Sequence, residues 1–309
     1  MELKIKIIIN PSSGRQTISQ TVNDIVGYLV EARALCRADF CYTRAKEDAQ
    51  NFAAEMKQGE YDLVMAVGGD GTINEVVNGL MQGRTDTPLA ILSAGTVNDF
   101  ATFLDLPVDP YSYARMLVNF RTLKVDLGKA GSRYFLNVAA GGLLTDIAYK
   151  VPSESKTSLG RMAYWLEGAK DIPGNIFSGL KLTAESKEDY FDDDALLFII
   201  ANTTSVGGMK KLVPYADPSD GLLDVLIVSR LEFGGLFPLL GKLLIGDHLS
   251  NDNITYFQTD RLSLSSSGDQ EIRLDLDGEE GDILPCDIEC IPAVLTIIIP
   301  PNEDPLSEF

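Results

Sequence analysis

The chain has 309 residues, 45% hydrophobic and 23% charged, enough for two soluble domains with proper cores. A net charge of −19 argues against a nucleic-acid partner, and it opposes docking on an anionic membrane except through a local basic or apolar patch. Cys36, Cys41, Cys286, Cys290 and the single histidine, His248, match no zinc spacing, so reduced and mostly buried thiols in a cytoplasmic protein are expected.

Met1-Glu2-Leu3-Lys4 runs directly into a first strand, Leu3 to Ile9, with no signal-peptide architecture. Asn10-Pro11-Ser12-Ser13-Gly14-Arg15 ends that strand as a small polar turn, either a phosphate wrap or a plain strand-to-helix connection. Ile18, Val22, Ile25, Val26 and Leu29 keep helical spacing between Thr17 and about Leu35. A short strand follows from Ala38 to Thr43, then a helix from Ala45 to Met56 with Ala49, Phe52, Ala53 and Met56 inward. Thr43 either contacts a nucleotide or caps that helix.

Leu63-Val64-Met65-Ala66-Val67 reads as a buried strand, and Ile73, Val76, Val77 and Leu80 as the apolar face of the next helix. Between them lies Gly68-Gly69-Asp70-Gly71-Thr72. Its glycines permit positive φ and close approach to a ligand, and the helix N-terminus offers amides to phosphate. Thr72 and Glu75 have capping-box spacing. Asp70, an anion among anion-binding amides, points to a metal or to proton transfer. A further strand, Leu89 to Leu92, ends at Gly95-Thr96-Val97-Asn98-Asp99, where Asn98 or Asp99 is the expected helix N-cap and Thr96 faces the ligand edge. Alternating strands and helices predict a parallel sheet whose polar turns converge at the carboxyl ends of the strands.

After about Lys124 the pattern becomes β-rich and antiparallel. Strands are expected at Val125 to Leu127, Tyr134 to Ala140, Gly179 to Glu185, Ala195 to Asn202, Leu222 to Ser229, Arg261 to Ser265, Glu271 to Leu276 and Val294 to Pro300. Helices are expected at Arg161 to Ala169 and roughly Phe233 to Ile245. Within the latter, the apolar run Leu236 to Ile245 is too short to span a membrane and contains Pro238 and Lys242. The acidic run Glu188 to Asp194 reads as a solvated loop rather than a metal site. Asp217 and Asp220, three apart in a Pro/Gly turn, can converge on a hard cation with a backbone carbonyl, or can form an Asx-type turn. Asp277-Gly278-Glu279 follows a strand. Its two carboxylates would project near each other, and one can serve as general base to a hydroxyl, or the segment is only an acidic hairpin.

The ordered set Asn-Pro-x-Ser-Gly, Gly-Gly-Asp-Gly-Thr-x-Asn-Glu-Val, Gly-Thr-x-Asn-Asp-Phe-Ala, Asp-Pro-x-Asp-Gly-Leu-Leu-Asp and Asp-Gly-Glu resembles the bacterial diacylglycerol and lipid kinase family, relatives of the sphingosine kinases, over nearly the whole chain. The Gly-Gly-Asp-Gly-Thr element is shared with NAD kinases and phosphofructokinases. The resemblance implies an α/β nucleotide-binding domain (1–124) of NAD kinase/diacylglycerol kinase type with a parallel sheet, a β-rich sandwich domain (125–300), and a tail (301–309) that frays or folds back. It implies ATP in the cleft between the domains, contacted by Asn10, Pro11, Ser12, Ser13, Gly14, Thr43, Gly68, Gly69, Asp70, Gly71, Thr72, Glu75 and Thr96. It also implies a structural Mg²⁺ on Asp217, Asp220 and the carbonyl of Leu222, and a second Mg²⁺ accompanying ATP near Asp70. Asp277 and Glu279 are placed at the reacting hydroxyl, with Asp70 as the fallback base.

The expected reaction is ATP-dependent phosphorylation of a lipid hydroxyl, that of diacylglycerol in the commonest case, by a cytoplasmic enzyme touching the membrane peripherally. Arg15, Lys150, Lys156, Arg161, Lys210 and Lys211 are the expected basic patch. A homodimer stays open. The alternatives are a kinase of a soluble substrate such as NAD and a nucleotide-binding regulator that transfers nothing.

Overall fold

A computed structural model of the chain describes residues 2–13, 17–95, 98–142, 179–230, 242, 246–268 and 271–301. The chain divides into two compact units. Residues up to Val125, with those from Leu295 onward, form one; Asp126–Val294 forms the other.

The first unit is an α/β domain built from β1 (Leu3–Ile9), α1 (Thr17–Glu31), β2 (Leu35–Tyr42), α2 (Asp48–Ala54), β3 (Leu63–Gly68), α3 (Asp70–Gly83), β4 (Leu89–Ser93), α4 (Asp99–Phe103) and α5 (Pro110–Asn119). Its strands are all parallel, in the order β2-β1-β3-β4. β1 and β3 are buried on both faces, which explains their near-continuous apolar sequence. Helices α1 and α5 close one face with Val22, Ile25, Leu29, Tyr113, Met116 and Leu117. The helix α5 has no counterpart in the sequence reading, although its signals are present. Asp109 accepts the Ser112 amide at 2.8 Å as N-cap, and Pro110 occupies the first turn. Helix α1 ends at Glu31 rather than Leu35, because Leu35 already pairs with Leu3.

The second unit is a β-sandwich domain. Its strands are β5 (Thr122–Ala130, entering from the first unit), β6 (Arg133–Phe135), β7 (Val138–Gly142), β8 (Leu180–Glu185), β9 (Tyr190–Ala201), β10 (Leu223–Ser229), β11 (Ile254–Thr259), β12 (Arg261–Ser265), β13 (Arg273–Leu276), β14 (Glu279–Ile283) and β15 (Cys286–Ile298). The pairs β5–β6, β7–β9, β8–β9, β9–β10, β10–β11, β8–β12, β12–β15, β7–β13 and β13–β14 are all antiparallel. Two-residue alternation splits the core. Phe198, Ile200, Val225 and Ile227 face one cluster, and Ile199, Ala201, Leu226 and Val228 the other.

Several expectations are corrected here. Asp192, Asp193 and Asp194 are strand residues opposite Thr183, Leu182 and Lys181, not a solvated loop; Asp194 takes ion pairs from Lys181 and Arg230. Strands β11 and β14 were not expected. The second domain does not keep residues 295–300: Ile297 pairs in parallel with Leu89, and the Ile299 amide donates to the Arg121 carbonyl, both within the first unit. The thiols divide evenly rather than being mostly buried. Cys286 and Cys290 are buried, Cys36 is exposed and Cys41 half-buried. The helices expected at 161–169 and 233–245 lie outside the described residues, apart from Lys242.

Candidate functional site

In the first unit, register places the turns after β1, β2, β3 and β4 along one edge. Ile9 lies beside Tyr42 and Val67, and Gly68 beside Ser93. Backbone bonds continue past the strand ends: the Asn10 amide donates to Val67, the Thr43 amide to Ile9 and the Ala94 amide to Gly68. Asn10 organises the first turn. Its Oδ1 accepts from the Ser12 amide at 3.0 Å and the Ser12 hydroxyl at 2.6 Å, an Asx turn. Its Nδ2 donates to Thr72 Oγ1 at 3.0 Å, tying this turn to the start of α3.

The glycines of the central loop act through close approach, not through the positive φ expected of them. Gly68, Gly69 and Gly71 are absent from the left-handed positions. A Cβ on Gly68 would stand 2.6 Å from Thr72 Cβ, and one on Gly95 would stand 3.0 Å from Gly69 Cα. Two loops therefore touch backbone to backbone beside the N-terminus of α3. Gly69, at the N-cap, has no side chain to offer its first amides, and Asp70 opens the helix.

The expected capping box does not form. Thr72 sits inside α3, bonded to Asn10, and Glu75 turns to α2. Its Oε1 accepts the Glu47 amide at 2.9 Å and its Oε2 the Ala49 amide at 3.2 Å. Both oxygens are thus committed to the start of α2, a correction to the sequence assignment of Glu75 to a cap on its own helix. Thr43 does not cap α2 either, since its first residues are held by Glu75, while Asp48 takes the amides of Arg44 and Ala45. Asn98 is the N-cap residue of α4 with φ 50°, yet its side chain makes no cap bond; Nδ2 donates to the Gly95 carbonyl at 2.8 Å instead. Gly14 and Thr96 lie outside the described residues.

In the second unit, Asp277 and Gly278 form a two-residue hairpin between β13 and β14, with φ 54° and 87°. Asp277 is buried. Its Oδ2 accepts the Leu136 amide at 2.6 Å, and its Oδ1 accepts Asn137 at 2.9 Å and Val138 at 2.8 Å. Sequence spacing alone had the two carboxylates of this turn projecting near each other. Asp277 instead seats three backbone amides, while Glu279 begins β14 half-exposed.

Asp217 and Asp220 share the tight turn before β10. Asp217 Oδ1 accepts the Ser219 amide and hydroxyl at 3.0 and 2.7 Å, and Asp220 Oδ1 accepts the Leu222 amide at 2.9 Å. This is the Asx geometry the spacing allowed, and it leaves the second oxygen of each without a hydrogen bond among the described residues. Partial desolvation raises the Asp220 carboxyl from its ordinary value, and the charges of Asp217 and Asp126 add to that against the Leu222 amide. Asp224 is raised too, by burial first, although Tyr256 and Gln258 donate to it. Hard oxygens crowded by their own charge suit a hard cation. No cluster of three or more Asp, Glu, His or Cys side chains stands ready for a metal among the described residues, so a cation here needs the Leu222 carbonyl or water as well. No helix among the described residues is long and apolar enough to cross a membrane.

Two family models match the chain. One, described as the diacylglycerol kinase catalytic domain, covers residues 4–130, and the other, described as a YegS C-terminal NAD kinase β-sandwich-like domain, covers residues 146–299. The chain is 35% identical to the diacylglycerol kinase of Staphylococcus saprophyticus over 285 residues, 92% of each chain. It is 34% identical to that of Bacillus subtilis over 289 residues, 91% of each. Among solved structures, a Bacillus anthracis chain provisionally named a diacylglycerol kinase superposes with a TM-score of 0.83 at 27% identity, covering 97% of both chains. Yeast NADH kinase shares the fold alone, with a TM-score of 0.51 at 11% identity.

Proposed function

This chain belongs to the diacylglycerol kinase family, and from that premise we propose that it transfers the γ-phosphate of ATP to the hydroxyl of diacylglycerol, giving phosphatidic acid. The observation that carries the donor half is the Asn10–Thr72 bond, which joins the two phosphate-type turns at one edge. The first amides of α3, with the turn from Asn10 to Ser13, Thr43 and Gly68 to Thr72, hold the nucleotide phosphates; Thr96 and Gly14 complete the set. Asp70 is suited to the Mg²⁺ that accompanies ATP.

The second unit supplies the acceptor side. Glu279 takes the proton of the attacking hydroxyl as its oxygen bonds to the γ-phosphorus and the bond to the bridging oxygen of ADP breaks. Asp277 holds the turn in place through its three amides. Mg²⁺ on Asp217, Asp220 and the Leu222 carbonyl would supply charge neutralisation to that loop. Phosphoryl transfer of this kind is mostly positioning and charge compensation. The enzyme works in the cytoplasm and meets lipid at the membrane surface. Exposed Lys210 and Lys211 contribute to that contact; Arg15, Lys150, Lys156 and Arg161 lie outside the described residues.

The test is phosphate transfer from ATP, with Mg²⁺, to diacylglycerol, a mixed lipid extract and NAD in parallel. Diacylglycerol phosphorylation is expected. Transfer to another lipid only would replace the substrate, transfer to NAD alone would reject the lipid reading, and ATP binding without transfer would mark a regulator.

A further inference from the structure

Within the second unit lies a cavity of about 590 Å³ that is lined by none of the residues assigned above to phosphoryl transfer. It is built on two neighbouring rungs of the β12–β15 ladder, where Arg261 stands opposite Glu289 and Ser263 opposite Asp287. These side chains point away from the core, because Leu262, Leu264 and Ile288 between them point into it. Glu289 is fully committed. Its Oε2 accepts Arg261 Nη2 at 2.9 Å and its Oε1 accepts Lys129 Nζ at 3.3 Å, and these two cations hold its carboxyl below the usual carboxylate value. Asp287 gives one oxygen to the Ser263 hydroxyl at 2.6 Å. Asp282, from β14, accepts no hydrogen bond among the described residues. It lies against the turn after β5: a Cβ on Gly131, which has φ 57°, would stand 2.2 Å from Asp282 Oδ2, so glycine is what leaves room for this carboxylate. Ile283, Pro285 and the buried Cys286 add uncharged wall. Burial first, and then the charges of Asp282 and Asp287, push the Cys286 thiol up, so it stays protonated.

We propose that this cavity binds an alkyl diamine or polyamine, with its ammonium groups bonded to Asp282 and Asp287 and its methylene chain lying on Ile283, Pro285 and Cys286. Three carboxylates face two cations here, and both cations are spent on Glu289. The charge left over is negative and belongs to Asp282 and Asp287. Ammonium donors answer it with short, charge-assisted bonds. A bare metal ion fits poorly, because no group of three or more Asp, Glu, His or Cys side chains converges among the described residues. The volume instead falls within the range of about 300–1,000 Å³ that holds small organic molecules. The uncharged wall suits a methylene chain, which gains by leaving water. Such a ligand goes beyond the proposed kinase reaction and does not depend on it.

A chain of net charge −19 attracts cations even without a site. Equilibrium dialysis of labelled spermidine against the full chain, in about 0.15 M salt, separates the two cases, because salt screens the general attraction. One saturable site per chain is expected. Putrescine should displace the label, and tetramethylammonium, which carries charge without N–H donors, should not. Asp282→Asn is expected to weaken binding about tenfold, the loss of one charge-assisted bond. Glu188→Gln, in the exposed turn between β8 and β9, should leave it unchanged. Absence of a saturable site in the natural protein overturns the proposal, and needs no variant to fold. Displacement by tetramethylammonium as readily as by putrescine overturns recognition through N–H groups. Equal affinity in the natural protein and in Asp282→Asn, or an equal loss in Glu188→Gln, overturns the location.

Discussion

The side-chain amide of Asn10 donates to the hydroxyl of Thr72 at 3.0 Å across 62 residues of chain, so the turn after β1 is tied to the first turn of α3. Removing the donor in Asn10→Ala also releases Ser12 from its Asx turn. One net hydrogen bond contributes about 0.5–1.5 kcal/mol. The KM for ATP is therefore expected to rise about threefold to tenfold, with kcat changing less. Initial rates against ATP concentration check this. An unchanged KM would mean that the bond serves the fold and not the nucleotide.

Glu75 separates two roles by a different measurement. Its carboxylate holds the amides of Glu47 and Ala49, so Glu75→Ala should destabilise the first unit by about 1 kcal/mol, as the loss of a helix cap does. Thermal unfolding should fall by about 2–4 °C. The KM for ATP should stay within about twofold of its natural value. A large rise in KM with unchanged unfolding would restore Glu75 to the nucleotide.

Asp277 and Glu279 should fail differently. Glu279→Gln removes the proposed proton acceptor from the end of a hairpin and is expected to lower kcat by about 10²–10⁴-fold while the protein unfolds near its natural temperature. Asp277→Asn sets an amide against three N–H donors, two of them buried, and each buried donor left unsatisfied costs about 1–3 kcal/mol. That variant should lose stability as well as activity. Full turnover in Glu279→Gln would remove it from the chemistry.

Asp220 makes the turn before β10 sensitive to pH. Partial desolvation of the carboxyl in the turn, and then the charges of Asp217 and Asp126, raise it above its ordinary value in the folded chain. The folded state then binds the proton more tightly than the unfolded chain does. Without Mg²⁺, stability should fall as pH rises from the ordinary carboxylate range through the raised folded value, and stay at that lower level at neutral pH. Asp220 is exposed to solvent, so the change is small. Asp220→Asn should unfold at a slightly higher temperature than the natural protein at neutral pH without Mg²⁺, and should lose the increase that Mg²⁺ brings. Unfolding scans from pH 4 to pH 8, with and without Mg²⁺, test both statements.

The α/β order of the first unit was legible because its signals are local. Apolar runs such as Leu63 to Val67 and the helical spacing of Ile73, Val76, Val77 and Leu80 survive any context, and the glycine motifs stand at strand ends. The signals of helix α5, an Asp109 cap followed by Pro110, are equally local. The second unit was read less well. Among the described residues β11 pairs only with β10 and β14 only with β13, so their polar, partly exposed sequences carry little apolar pattern, and the acidic run of β9 looks like a loop until Lys181 and Arg230 are seen beside Asp194.

By itself, then, the sequence determined which chemical groups are present and in what order along the chain: small polar and glycine-rich turns at strand ends, an acidic Pro/Gly turn and a late Asp-Gly-Glu segment. Only the tertiary structure decided what those groups do. Glu75 has capping-box spacing with Thr72, but it caps α2 because that helix packs alongside with its amides in reach. Asp277 and Glu279 look alike in sequence, yet one is buried among three amides and the other begins an edge strand. Spacing along a chain fixes partners only within a turn or two of helix, whereas a carboxylate bonds to whatever donor the fold brings within about 3 Å.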